Sequence, residues 1–220
     1  MLAVIWRIRY KLSLRDVAEM FLVRGYEFTH VTIRNWEARF APVLSQHLRE
    51  KRRGQAGQSW YVDETYVKVK GEWHYLYRAI DRAGNLLDTM LSTTRDLTAA
   101  NAFFKQVFDT VGHKPERVTT DKHASYPRAI RKQLGRKVHH RTNQYLNNRI
   151  EQHHRAIKQR YYPMRGFGSF VSAARFCRAF DEIQDYFRAC SALNQTPSLS
   201  SQRHTFCQRW NDLSLVWQPV

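Results

Sequence analysis

Apolar residues recur at helical spacing near the start of the chain, and this pattern predicts two helices before residue 25. The first covers residues 2–10 and contains a tryptophan. Ser13 and Asp16 form a capping pair that predicts the start of the second helix, which Gly25 should end. One side of this second helix is apolar and consists of Leu14, Val17, Ala18, Phe21 and Leu22.

A third helix is predicted from Thr29 to Phe40, and Pro42 should close it because proline cannot continue the hydrogen-bond ladder. Its inward side is predicted to be mostly apolar: Val31, Ile33, Trp36 and Phe40. Its outward side is predicted to be polar: Thr32, Arg34, Asn35 and Arg39. Two short helices joined by a turn, the second presenting such side chains, are typical of a helix-turn-helix that contacts bases and phosphates in a major groove. The alternative is a three-helix bundle whose polar side is only solvated.

Residues 60–93 are rich in aromatic and branched side chains, which predicts three antiparallel strands. The first two, 60–69 and 73–80, meet at a Lys70-Gly71 turn, and the third covers 86–93. Helical and strand-like runs then alternate: a helix that Thr98 caps, a strand near Val118, a helix near 124–134, a strand near 137–139, a helix holding Glu151 and a helix over 169–190. This order predicts an α/β fold of the ribonuclease H-like type, a mixed sheet with flanking helices, preceded by the small all-α helix-turn-helix domain.

The chain divides at residues 49–59, a charged, glycine-bearing stretch without apolar periodicity that predicts an exposed linker. The expected domains are a helix-turn-helix over 1–48 and a ribonuclease H-like domain over 60–190, while the role of the tail, 191–220, stays open. No apolar run approaches the ~20 residues that span a bilayer, and no cleavable signal is apparent. Three scattered cysteines fit a reducing compartment, so a cytoplasmic protein without a membrane partner is expected.

The charge balance adds a partner class to this outline. The 36 Lys and Arg residues outnumber the 19 Asp and Glu residues, which gives a formal net charge of +17 and a sequence pI of about 10.2. Such an excess makes a polyanion the natural partner, because each phosphate that a cation neutralises releases a condensed counterion. Nucleic acid is therefore expected, the alternative being a basic protein without that role.

Three acidic residues stand in local contexts where a carboxylate is unfavourable without a partner. Asp63 lies inside the first predicted strand, Asp121 ends the fourth, and Glu151 lies on a later helix. Strands one and four are neighbours in related folds, so Asp63 and Asp121 should lie side by side, while Glu151 comes from a helix over the same edge and can stand farther off. Together these acids could hold hard divalent cations such as Mg²⁺ for phosphoryl transfer. Taken singly, each acid is better explained by solvation or a salt bridge, since the same region has other acids: Glu64, Asp81, Asp88 and Asp96.

Three sequence motifs then narrow the choice. They are Val62-Asp63-Glu64-Thr65-Tyr66-Val67-Lys68, then Thr120-Asp121 followed by Ser125-Tyr126-Pro127, and last Asn147-Asn148-Arg149-Ile150-Glu151-Gln152-x-His154-Arg155-x-Ile157-Lys158. In this order they closely resemble the DDE transposases of bacterial insertion sequences, in the insertion sequence six family. The resemblance covers most of the chain, from the helix-turn-helix segment to about residue 190.

The resemblance implies a ribonuclease H-like core in which Asp63, Asp121 and Glu151 are the catalytic and metal-binding triad. The implied cofactor is Mg²⁺ or Mn²⁺, with two ions expected. The implied activity is that of a transposase, which binds the terminal inverted repeats of its element, cleaves at the ends and joins the freed 3′-hydroxyl to target DNA. Its partners would be double-stranded element ends and target DNA, with a homo-oligomer assembled on them at the bacterial nucleoid.

Lys158 follows Glu151 by two helical turns and therefore shares its helix face. The resemblance assigns a cation at this place to DNA contact near the cut, and Arg155 or Arg160 could share that role. The alternative is a helix salt bridge worth roughly a few tenths of a kcal/mol. The loop over residues 160–168 mixes cations with aromatics, so it either grips a distorted DNA end or packs against the domain.

Some features depart from the family pattern. His153 stands where many members have an acid, and the interval from Asp121 to Glu151 is shorter than is common, although relatives share it. His153 and His154 are adjacent on the predicted helix and are expected at its surface. Two alternative functions stay open. The first is an inactive DNA-binding copy, against which the intact triad argues, and the second is another ribonuclease H-like nuclease, against which the helix-turn-helix argues.

Overall fold

The computed structural model describes residues 1–142, 148–164, 166–189 and 197–215. Several residues named above lie outside the described residues: Asn147 of the third motif, Arg165 of the 160–168 loop, Cys190, and residues 191–196 and 216–220 of the tail. Within the part of the chain that is described, no helix has both the length and the apolar character needed to cross a bilayer.

Three helices form the N-terminal part: α1 (Leu2–Arg9), α2 (Leu14–Leu22) and α3 (His30–Lys51). The predicted capping pair of α2 is present. The Ser13 hydroxyl accepts a hydrogen bond from the Asp16 N–H at 3.0 Å, and the Asp16 carboxylate accepts one from the Ser13 N–H at 2.6 Å. A small buried cluster joins the three helices and consists of Ala3, Val17 and Ile33.

The prediction that Pro42 closes the third helix is wrong, because α3 continues to Lys51 with the proline inside it. Proline removes one hydrogen bond from the ladder. The continuation buries Ala41, Leu44 and Leu48 in the main apolar core, and burial of a large apolar side chain contributes roughly 1.5–3 kcal/mol. Val31 was predicted to lie mostly inward, but its side chain is exposed.

The exposed linker predicted over residues 49–59 is also wrong for its first part, because α3 carries this segment onto the rest of the protein. Arg49 pairs with the buried Asp88, and Arg52 pairs with the buried Glu182 at 2.6 Å. Two buried carboxylates therefore anchor the end of α3, and the N-terminal helices share one core with the sheet.

The sheet has five strands: β1 (Ser59–Val69), β2 (Glu72–Asp81), β3 (Leu86–Ser92), β4 (Arg117–Thr120) and β5 (His139–Thr142). Their spatial order is β3-β2-β1-β4-β5. The first three strands are antiparallel, whereas β4 runs parallel to β1 and β5 runs parallel to β4. Lys70 and Gly71 both have positive φ, which suits the tight turn between β1 and β2. The predicted mixed sheet with flanking helices is confirmed.

Five further helices are described: α4 (Leu97–Val111), α5 (Ser125–Gln133), α6 (Asn148–Tyr161), α7 (Phe170–Phe187) and α8 (Leu199–Leu215). The residue that caps α4 is Asp96, whose side chain accepts from the Ala99 N–H at 2.8 Å, so the prediction of a Thr98 cap is wrong. Helix α8 belongs to the tail left open by the sequence, and its Phe206 and Trp210 pack on Phe187 of α7.

The two faces of the sheet bury different helices, because successive side chains of a strand point to opposite sides. Trp60 and Val62 of β1 pack in a cluster with α4 and α5. Val67 and Val69 pack in the other cluster, which includes α1, α3 and α7. The alternation therefore directs Asp63 towards the second side and Glu64 towards the first.

Candidate active site

Asp63 and Asp121 lie side by side, as the sequence predicted. The parallel ladder between β1 and β4 ends with Tyr61 opposite Thr119, and two further residues along each strand bring Asp63 level with Asp121. One carboxylate oxygen from each of Asp63, Glu64 and Asp121 lies within 4.8 Å of the others. Because the ladder stops at Tyr61, the edge of β1 is open towards Asp121, and side chains from both faces of β1 reach this small volume.

Asp63 is the electrostatically perturbed member of this group. Burial, followed by the negative charges of Asp121 and Glu151, raises the pKa of Asp63 to about 7. The positive charges of Arg95 and Lys158 act in the opposite direction. Burial is a larger cause of this raised pKa than repulsion between the acids.

Glu64 is the acid that sequence reasoning missed. Its side chain is only 2% exposed, its carboxylate pairs with Arg95, and it accepts a hydrogen bond from the Tyr126 hydroxyl. Burial raises the pKa of Tyr126 well above its usual range, so this hydroxyl stays protonated and available as a donor. Glu64 thus has two partners of its own on the side of the sheet covered by α4 and α5.

Asp121 has partners for both carboxylate oxygens. Oδ1 accepts from the backbone N–H of His123 at 2.9 Å, and Oδ2 accepts from Arg95 at 2.6 Å. The single guanidinium of Arg95 therefore bridges Asp121 and Glu64. No sequence motif singled out Arg95, because it lies in the loop between β3 and α4 and meets both acids only in the folded chain.

Glu151 lies in the first turn of α6 and its side chain is exposed. It is not among the three carboxylates that come within 4.8 Å of one another, although its charge contributes to the raised pKa of Asp63. Lys158, further along α6, is half-buried, and its positive charge lowers the pKa of both Asp63 and His154. The charges of Glu151 and Lys158 therefore both act on Asp63.

His154 is not a surface residue, contrary to expectation, and His153 is only partly exposed. His154 is buried, and its Nδ1 lies 3.9 Å from Asp63 Oδ2. Burial, followed by the charges of Arg78, Lys158 and His153, lowers the pKa of His154 to about 2, so the ring is neutral and the contact is not an ion pair. Burial and the nearby Arg78 and Arg188 lower the pKa of His153 to about 4. A neutral imidazole therefore lies beside Asp63 where a cation would have favoured its charged form.

One predicted DNA contact is wrong because its side chain is not available. Arg160 is 3% exposed, and its guanidinium donates to the carbonyls of Ile8, at 3.0 Å, and Arg7 at the end of α1. These carbonyls lack partners within their own helix, so the arginine serves as their cap. Arg155, by contrast, is exposed on α6. The aromatic residues of the 160–168 loop divide, with Phe167 buried and Tyr162 exposed.

The residues predicted to contact DNA from the third helix lie along the N-terminal half of α3. Arg34, Asn35 and Arg39 are exposed, and Thr32 is half-buried. The Thr32 N–H donates to the side chain of Thr29, which caps the helix. Ile33 is fully buried on the opposite side. Three of the four polar residues are therefore accessible to a ligand.

The donor atoms of the site suit a hard divalent cation, which prefers oxygen ligands. The carboxylates of Asp63 and Asp121 converge, and burial with the neighbouring negative charges raises the pKa of Asp63, which disfavours its charged form. A positive ion bound there would favour the charged form. The residues present therefore fit the cofactor that the sequence implied.

Comparison with known proteins places this geometry in context. A family model for a DDE domain matches residues 57–189. The transposase for insertion sequence-like element IS431mec of Staphylococcus aureus strain Mu50 is 43% identical over 162 residues, which cover 72% of this chain and 71% of that protein. The Staphylococcus aureus transposase for insertion sequence element IS257 in transposon Tn4003 is similar to the same extent. Among solved structures, a simian T-cell lymphotropic virus intasome in complex with PP2A regulatory subunit B56 gamma matches 76% of this chain and 57% of that chain, with 14% identity and a TM-score of 0.48.

Proposed function

The chain belongs to the DDE transposases of the insertion sequence six family, and from this premise we propose how it acts on DNA. It binds the terminal inverted repeats of its element, cleaves at the element ends and joins the freed 3′-hydroxyl to target DNA. The observation that carries the proposal is the convergence of the Asp63 and Asp121 carboxylates where β1 and β4 lie side by side. Their spacing supports metal-dependent phosphoryl transfer at this place in the chain.

Asp63, Asp121 and Glu151 would hold Mg²⁺ or Mn²⁺. Two bound ions would supply activation of the attacking oxygen and stabilisation of the leaving oxygen in an in-line displacement at phosphorus. Asp121 is oriented for this role by Arg95 and the His123 N–H, which fix both of its oxygens. Because His154 is neutral, this ring does not compete with a metal ion for the Asp63 carboxylate. Glu151 is exposed, so it is free to turn towards the site.

The DNA is proposed to be held by two parts of the chain. The helix-turn-helix over residues 1–48 would recognise the repeat through Arg34, Asn35, Arg39 and Thr32. Lys158 and Arg155 of α6 would contact the backbone near the cut. Synapsis of two ends would require a homo-oligomer assembled on DNA, and the natural setting is the nucleoid in the bacterial cytoplasm. The domain over 60–190 would carry the chemistry, with the tail of α8 packed behind it.

Replacing Asp121 with Ala tests the proposal. Purified Asp121→Ala should lose Mg²⁺- or Mn²⁺-dependent joining of a repeat-ended oligonucleotide to a plasmid, while it still shifts the same oligonucleotide in a gel. Asp109→Ala is the matched control, since Asp109 is an exposed acid of α4 paired only with Lys105 among the described residues. A variant that joined ends at near the parent rate would overturn the assignment of Asp121.

The same assay separates the proposal from its main competitor. An inactive copy that only binds DNA would shift repeat-ended DNA but would show no metal-dependent joining in the parent protein. A ribonuclease H-like nuclease of another kind would cut hybrid or branched DNA without preference for the repeat. Joining by the parent protein that depends on the repeat excludes both.

A further inference from the structure

A band of positive charge covers the sheet edge next to the active site. Between residues 117 and 142 the only acid is Asp121, whereas eight Lys and Arg residues occur there. All eight are exposed, and they are called the basic edge below: Arg117, Lys122, Arg128, Arg131, Lys132, Arg136, Lys137 and Arg141. The ratio of basic to acidic residues in this segment is higher than in the whole chain, which has 36 Lys and Arg residues and 19 Asp and Glu residues.

Within the described part of the chain, the cations of the basic edge have no acidic partner, unlike several arginines elsewhere in the protein. Among the described residues none of the eight takes part in an ion pair, and their side chains make no hydrogen bond. Arg52, Arg78 and Arg95, by contrast, are each paired with a carboxylate that is at least partly buried. The basic edge is thus uncompensated charge carried by α5, by β4 and β5, and by the turns next to them.

The fold arranges this charge as a path that starts at the site. Lys122 directly follows Asp121, and the parallel strand β5 brings Arg141 to the same end of the sheet. Helix α5 then leads away with Arg128, Arg131 and Lys132 on one face, because residues three and four apart share a face. Tyr126, Ala129 and Ile130 bury the opposite face. Nine helical residues span roughly 13 Å, about four base-pair steps of duplex DNA.

We propose that the basic edge binds the phosphate backbone of target DNA without reading its sequence. The inference rests on the proposed function, and it adds the place where the second DNA substrate is held. Lys and Arg side chains alone position a duplex by its phosphates, whereas sequence is read through bonds to base edges. The element end must be recognised by sequence and already has a candidate reader in α3. A target that is not chosen by sequence needs only backbone contacts.

The first test measures the salt dependence of binding to unrelated duplex DNA. In the variant Arg128→Gln/Arg131→Gln/Lys132→Gln, the slope of log K against log salt should fall in magnitude by about 2.7, because each phosphate contact contributes about 0.9. The control Lys51→Gln/Lys105→Gln/Arg203→Gln removes the same charge from exposed positions away from the basic edge. Circular dichroism and thermal melting show that both variants are folded. A slope equal to that of the control would overturn the proposal.

The second test separates target DNA from element ends. Joining of a pre-cut repeat end to a plasmid should require at least about tenfold more plasmid in the α5 variant than in the control, while binding of the repeat end matches the control. Equal loss of end binding would place the element end on the basic edge and overturn the assignment to the target. If the parent protein joins no DNA at all, the proposed function fails, but the salt slopes still decide whether this edge binds duplex DNA.

Discussion

Asp63 and Glu64 are neighbours on β1 and point to opposite faces of the sheet, and the two faces treat them differently. Glu64 is the more buried of the two, with 2% of its side chain exposed against 17% for Asp63. Glu64 meets Arg95 and the Tyr126 hydroxyl, whereas Asp63 meets the neutral ring of His154. Greater burial therefore does not by itself make an acid reactive, since Glu64 is the more buried of the two. What distinguishes them is whether a partner compensates the charge.

This difference separates a structural acid from a reactive one. A buried carboxylate with a cation and a donor is stable as an ion, and it fixes the elements that carry its partners. A carboxylate that is mostly desolvated and has a raised pKa has no such compensation, so a bound cation would lower its free energy most. On the side of the sheet facing α6, Asp63 is thus available as a metal ligand. On the side facing α5, Glu64 and Arg95 hold Asp121 in its orientation.

The largest expected effect comes from Asp63→Asn. This change should lower the rate of DNA-end joining on the order of a thousandfold, which is about 4 kcal/mol of activation free energy. It should also raise the melting temperature of the metal-free protein at pH 8, because an uncompensated charge is removed. Glu64→Gln is the matched control and should lower the melting temperature instead. Equal stability changes in the two variants, measured by calorimetry, would contradict the contrast between the two faces.

The second prediction concerns the pH dependence of stability without metal. The pKa of Asp63 is about 7 in the folded protein and 3.8 as the ordinary value, so the folded state binds the extra proton between these values. Stability should therefore fall as pH rises from about 4 to about 7, by at most about 4 kcal/mol at 1.4 kcal/mol per pKa unit.

His153 and His154 oppose this trend, so a difference measurement is required. The pKa values of these histidines in the folded protein are lowered to about 4 and about 2. The folded protein therefore loses stability as pH falls below about 6.5, where the histidines of the unfolded chain bind protons. Subtracting the unfolding free energy of Asp63→Asn from that of the parent, at each pH, removes the histidine contribution. A difference that stays flat from pH 4 to pH 8 would show that the charge of Asp63 is compensated after all.

The third prediction tests the bridge that Arg95 forms between Glu64 and Asp121. Arg95→Gln should destabilise the protein by about 2–4 kcal/mol, somewhat less than for a fully buried pair because Arg95 is partly exposed. Adding Glu64→Gln should recover part of this loss, since the stranded charge is then removed. Lys105→Gln breaks an exposed ion pair and should lower the free energy of unfolding by about 1 kcal/mol or less. Urea unfolding of the parent, Arg95→Gln, Glu64→Gln and the double variant measures the coupling, with Lys105→Gln as the separate control, and additive effects would argue against the bridge.

The sequence predicted the Asp63 side of the sheet better than the Glu64 side. The position of Asp63 beside Asp121 was predictable, because the strand pattern and the motifs agree on which strands are neighbours. The roles of Arg95 and Tyr126 were not, since neither lies near Glu64 in the chain and only tertiary folding joins them. The adjacent Asp63 and Glu64 also looked alike in sequence, as side-chain alternation alone does not say which face supplies partners.

Two other differences have the same origin in tertiary contacts. Pro42 lowers helix propensity locally, but the apolar residues that follow it pack into the core, so the helix continues. Arg160 resembles a surface cation on α6 by its spacing, but the free carbonyls at the end of α1 draw it inward. Local rules placed the helices and strands, whereas these side chains depended on elements distant in the chain.

The smallest predicted effect concerns Lys158, the cation on the Asp63 side. Its charge acts on Asp63 without forming an ion pair with another described residue, so it is available to a DNA phosphate. Lys158→Ala should reduce the magnitude of the salt slope for repeat-ended DNA by about 1 and weaken binding a few-fold. Lys158→Arg should keep the slope, and Lys105→Ala serves as the control on a distant helix. If Lys158→Ala left the slope at the parent value while Arg95→Gln changed it, the DNA would bind on the α5 side of the sheet. The face described as structural would then be the one that contacts DNA, which would reverse the division between the two faces.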